Sequence, residues 1–93
     1  MSGQESAETL ALRVLGWLAE DRDRLGAFLS ESGASPADLA RNVSDPAFLG
    51  AILDHLLSSD ALVIGFCDAE GLPRDLPLRA RAALPGGAQW HWT

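Results

Sequence analysis

An all-α fold, a compact single domain of five or six short helices packed at varied angles, is what this sequence predicts. Three observations predict it. Apolar residues recur at intervals of three and four, Ser or Asp precedes most such runs while Gly or Pro ends them, and no two segments could pair as strands. The chain divides into a helical domain over residues 6 to 84, a flexible N-terminal segment over residues 1 to 5, and a tail over residues 85 to 93.

The first helix follows from Leu10, Val14, Trp17 and Leu18 on one face, widened by Ala7, Ala11 and Leu15. Ser6 is placed as its N-cap, with Glu8 suiting the positive end of the helix dipole, and it should run to about Glu20. Asp21 caps a second helix with Leu25, Phe28 and Leu29 inward, and Gly33 supplies the left-handed residue that ends it. Ser35-Pro36-Ala37-Asp38 then gives a cap, a proline at the first helical position and an acid at the third, starting a short helix to Asn42 with Leu39 and Val43 as its core contacts.

Asp45-Pro46 repeats the device ahead of Phe48, Leu49, Ile52, Leu53, Leu56 and Leu57, the clearest amphipathic pattern in the chain. Ser59 or Asp60 caps the next segment, Ala61 to Cys67, which is apolar on every side and therefore predicted to be the central helix. Gly71 and Pro73 stop it. Asp75 is placed as the cap of a last helix from Leu76 to Leu84, and Pro85-Gly86-Gly87 ends regular structure.

Composition narrows the function classes. Seven basic and thirteen acidic residues give a net charge of −6, so the average surface repels phosphate backbones and anionic lipid, and neither nucleic acid nor membrane is an expected partner. All seven basic residues are arginine, while Ala and Leu supply about a third of the chain, a bias of GC-rich coding sequence. Cys67 is the single cysteine, which leaves no internal disulfide and no zinc-type cysteine pair. With no basic leader region and no long apolar run, neither secretion nor membrane insertion is expected, and the cytoplasm is the expected compartment.

The residues Ala7-Glu8, Leu10-Ala11-Leu12, Leu15, Trp17-Leu18-Ala19 and Asp21, with Phe28-Leu29 and Ser32-Gly33 after them, form a distinctive string. Together with Asp45-Pro46-Ala47-Phe48-Leu49, Leu53-Asp54, Leu57 and Phe66-Cys67, it resembles a family of small uncharacterised alphaproteobacterial proteins. The resemblance spans residues 6 to 72 and implies an all-helical bacterial protein of the cytoplasm. That family is a domain of unknown function, so no activity, cofactor or site residue carries over.

Constellations with chemical content each meet a plainer alternative. Asp21, Asp23 and Gly26 match the first, third and sixth positions of a calcium loop, but Leu25 and Ser32 stand at the fifth and twelfth, where ligands are required. Ser35 to Leu57 has the outline of a helix-turn-helix, yet no Lys or Arg occurs between Arg41 and Arg74, and Asp45, Asp54 and Asp60 would face phosphate. His55 and Cys67 suggest a base and a nucleophile, but a cysteine within an apolar helix reads as a small buried hydrophobe. His55, beside Asp54, reads as a surface or half-buried residue, and with His91 in the tail it makes no metal set.

Arg74, Arg79 and Arg81 give the last helix a local positive balance, read first as internal pairing with Asp68, Glu70 and Asp75 and second as a patch for an acidic partner. Trp90 and Trp92 flank His91 after two glycines, and tryptophan is enriched among interface anchors. The expectation is a non-enzymatic helical protein that acts through an unknown protein partner or self-association, without cofactor or metal. Trp90, Trp92, Arg79 and Arg81 are its candidate contact residues. The alternative is a DNA-associated regulator of helix-turn-helix type, with Arg79 and Arg81 as backbone contacts.

Overall fold

The computed structural model describes residues 3 to 84, and among these six helices form and no strand does. They are α1 (Gly3–Ala19), α2 (Arg22–Ser32), α3 (Pro36–Asn42), α4 (Pro46–Leu57), α5 (Asp60–Glu70) and α6 (Leu76–Ala82).

Four starts obey the expected capping chemistry. Asp21 has extended backbone, and its carboxylate accepts from the amides of Asp23 at 2.8 Å and Arg24 at 3.3 Å. Ser35 and Asp38 make a reciprocal capping box: the Asp38 amide donates to Ser35 Oγ and the Ser35 amide to Asp38 Oδ2. Asp45 accepts from the Ala47 amide, and Ser59 rather than Asp60 caps α5 through the Leu62 amide. Gly33 and Gly71 end α2 and α5 at φ of 75° and 69°, the left-handed region that glycine enters without a Cβ penalty.

Two starts differ from expectation. Ser6 caps nothing: α1 begins at Gly3, so residues 3 to 5 are helical and belong to the domain. Gln4 donating to Glu8 one turn on, and Glu5 in the first turn, extend the helix backwards to where Gly3 faces Ala83, the residue after α6. Asp75 makes no side-chain cap bond, because it sits in helical rather than extended backbone and its carboxylate is turned to Arg79 at 3.3 Å.

Helices α1, α4 and α6 pack against one another around the core, α2 lies across α1 and α4, and α5 rests chiefly on α4. Ala7, Leu10, Ala11, Val14 and Leu18 of α1 meet Leu49, Ile52, Leu53 and Leu56 of α4 and Ala80 of α6, with Phe28, Phe66 and Leu84 closing the cluster. The domain is about as deep as it is wide, 30 by 28 by 27 Å.

The central helix is therefore α4, not α5. Only Phe66 and Cys67 of α5 are buried, and Ile64 is 38% exposed. Composition counts apolar residues on a helix, whereas burial depends on how many neighbours it has. α4 packs beside α1, α2, α5 and α6, but α5, turned by 105° from α4, leaves one side uncovered. Trp17 covers part of α5, its ring 5.7 Å from Phe66 in an edge-on contact while the Arg24 guanidinium lies 4.0 Å over its other side. No single helix among the described residues is long and apolar enough to cross a membrane.

Candidate functional site: a cleft between α1 and α6

Small residues position a cleft between α1 and α6. Gly3, Ser6, Ala7 and Leu10 of α1 lie three and four residues apart on one face, and Leu76 and Ala80 of α6 with its C-cap Ala83 do the same opposite. Where two helices meet through side chains this short, their flanks leave a trough, and here it has a volume of about 330 Å³ with mostly apolar walls. Leu72, in the connection after α5, closes one end. The volume lies at the small end of ordinary ligand pockets, roughly 300 to 1,000 Å³, and suits one or two large side chains.

Two arginines edge the trough. Arg13 of α1 is half exposed and its Nη2 donates to Glu70 Oε1 at 2.8 Å. Arg79 of α6 is 64% exposed and pairs with Asp75. Long arginine stems can lie along apolar surface while their heads stay in water, so both residues can add apolar stem to the cleft wall while keeping their ion pairs.

The predicted contact residues separate. Arg79 lines the cleft. Arg81, two residues on, points inward, 7% exposed, and holds Asp54 of α4 through Nε at 2.6 Å and Nη2 at 3.2 Å, which removes it from the outer surface. A shift of two positions turns a side chain about 200° around a helix, and the sequence does not say which of the two arginines faces in. Trp90 and Trp92 lie outside the described residues. Of the expected internal pairs, Arg74 with Asp68 and Arg79 with Asp75 form, whereas Glu70 pairs with Arg13 instead.

The other candidates are occupied by structural work. His55 is buried rather than superficial, packed 5.3 Å from the Phe28 ring with Nδ1 3.1 Å from Glu31 Oε1. Burial pushes the Cys67 thiol above the ordinary thiol range, helped by the charge of Asp68 and opposed by Arg74, and its Sγ faces the Pro73 carbonyl at 3.5 Å. Neither residue lines the cleft. Residues 22 to 26 are helical rather than a loop, and among the described residues no three His, Cys, Asp or Glu side chains are placed to hold a metal ion.

Sequence reasoning missed the α1 half of the cleft, Ser6, Thr9, Leu10 and Arg13. Their only signal is the pairing of small residues at Ser6-Ala7 with those at Ala80 and Ala83, which has meaning only once α1 and α6 are known to touch.

Comparison with known proteins places the same stretch in one family. Residues 4–87 match a family described as protein of unknown function DUF3572, which extends past the expected resemblance to include α6 and every lining residue of the cleft but Gly3. No curated protein and no solved structure matches the chain. The chain belongs to the DUF3572 family.

Proposed function

We propose that this chain is a non-enzymatic interaction module of the cytoplasm, and that the α1/α6 cleft receives a segment of a partner protein carrying apolar and aromatic anchors. The observation that carries the reading is an oily trough between two helices with Arg13 and Arg79 among its lining residues. Helix grooves of this kind take up anchoring side chains of a docked segment, and an aromatic ring placed against a guanidinium adds a cation–π contact. The chain already makes that contact internally, between Arg24 and Trp17.

A random peptide library displayed against the full chain tests this. Peptides selected from it should carry aromatic or large aliphatic anchors, move the amide resonances of Ser6, Thr9 and Ala83 on binding, and lose at least about tenfold in affinity to a Ser6→Phe chain whose own ring fills the trough. Failure to select any peptide, or resonance changes on another face, overturns the reading.

The duplex-contacting alternative draws no support from the geometry. Its recognition helix would be α4, whose Leu49, Ile52, Leu53 and Leu56 form the centre of the core, and one of its two backbone contacts, Arg81, is engaged with Asp54.

A further inference from the structure

We infer that the cleft has an occupant within the same chain: the tail Trp90-His91-Trp92 docks its indoles between α1 and α6. Three observations converge on that assignment. The described residues end beside the cleft, because Ala80 and Ala83 line it and Leu84 is the last of them. Trp90 follows Leu84 by six residues, a stretch that spans at most about 20 Å when fully extended, which is less than the 27 Å shortest dimension of the domain. Trp90 thus stays within about 20 Å of Leu84, a range that includes the Ala83 end of the trough.

Pro85-Gly86-Gly87, at the start of that stretch, has the residues that reverse a chain: proline fixes one turn position and glycine accepts the backbone angles the others need. The chemistry also matches. An indole offers a large apolar body with one donor, which fits a small oily cleft edged by Arg13 and Arg79. The matched family stretch ends at residue 87, so the tryptophans lie beyond it.

A short tether gives the tail an effective concentration near the millimolar range, enough to compete with a partner that binds weakly and to yield to one that binds tightly. The inference deepens the proposed function and shares with it the premise that the cleft accepts aromatic anchors.

Amide and side-chain NMR spectra of the full chain, compared with a W90A/W92A chain, test it. The expected result is a set of amide changes confined to the cleft, around Ser6, Thr9, Leu10 and Ala83. Contacts from an indole to the Leu10 and Ala80 methyls should persist on tenfold dilution and vanish in the Ser6→Phe chain. Superimposable spectra, changes centred on Leu78, or contacts that disappear on dilution and so belong to a second copy each overturn it.

The two ideas fail separately. A W90A/W92A chain that binds library peptides in the cleft, with no indole contacts in the parent, removes the tail and keeps the docking surface. Indole contacts without peptide binding by either chain do the reverse. Where both hold, the W90A/W92A chain should bind such peptides about tenfold more tightly than the parent.

Discussion

Arg81 and Asp54 form an ion pair across the core junction of α6 and α4, and the two partners are buried unequally: the guanidinium is 8% exposed and the carboxylate 48%. Removing either partner therefore leaves a different remainder. Asp54→Ala strips the main carboxylate from an inward-facing cation, while Arg81→Met leaves a carboxylate that water already reaches. We expect Asp54→Ala to cost about 2 to 3 kcal/mol, less than the roughly 3 to 5 of a fully buried pair, and Arg81→Met about 1. Urea unfolding of both variants checks the order, and equal losses would show that the asymmetry has no energetic weight.

Gly50 belongs to the same contact. A Cβ built there would lie 3.1 Å from Cζ and Nη1 of Arg81, a guanidinium that Asp54 prevents from moving aside. Gly16 and Gly26, also inside helices, would meet nothing within 4 Å. Alanine normally stabilises a helix interior relative to glycine by about 0.5 to 1 kcal/mol, so Gly16→Ala and Gly26→Ala should each raise stability by that amount. Gly50→Ala should lower it, and thermal melts of the three variants should split in sign.

Acid should weaken the fold through two caps. Backbone amides of Arg24 and Asp23 donating to Asp21, and the Ser35 backbone amide followed by the Arg41 side chain donating to Asp38, hold both carboxyls below the usual carboxylate range. A group whose folded pKa is lowered takes up its proton more readily when unfolded. Its contribution is therefore complete above the unfolded value, about pH 3.9, and fades as pH falls through the folded one. A D21N/D38N chain should be less stable than the parent at neutral pH, and the two unfolding midpoints should converge as pH drops below about 4. Parallel curves down to pH 2 would contradict this origin.

Cys67 should be inert in the native state. With its thiol 1% exposed by residue, raised in pKa by burial, and facing the Pro73 carbonyl, little thiolate forms near neutral pH. Iodoacetamide at pH 7.4 should label it only as fast as the domain opens, and labelling should accelerate by orders of magnitude in denaturing urea. Prompt labelling of folded protein would show that the α5 end of the core is open.

The element boundaries were legible because their causes are local. Asp21, Ser35, Asp45 and Ser59 act on amides two or three residues away, and Gly33 and Gly71 act through their own φ, so each was readable from a few letters of sequence. Ser6 and Asp75 misled for the converse reason. A capping residue type favours a helix start but does not exclude a helix that continues through it, and α1 is carried past Ser6 to the point where Gly3 meets Ala83.

Sequence alone thus determined the fold class, five or six helices with nearly correct limits, and which faces of α1 and α4 are oily. Tertiary structure alone decided that α4 rather than α5 sits at the centre, that Arg81 turns inward while Arg79 stays out, that His55 is buried against Phe28, and that α1 and α6 leave a trough between them. The physical reason is reach. Periodicity and caps are set within one or two turns, but burial, ion pairing and concavity depend on which distant helix lies alongside, and no local pattern encodes that neighbour.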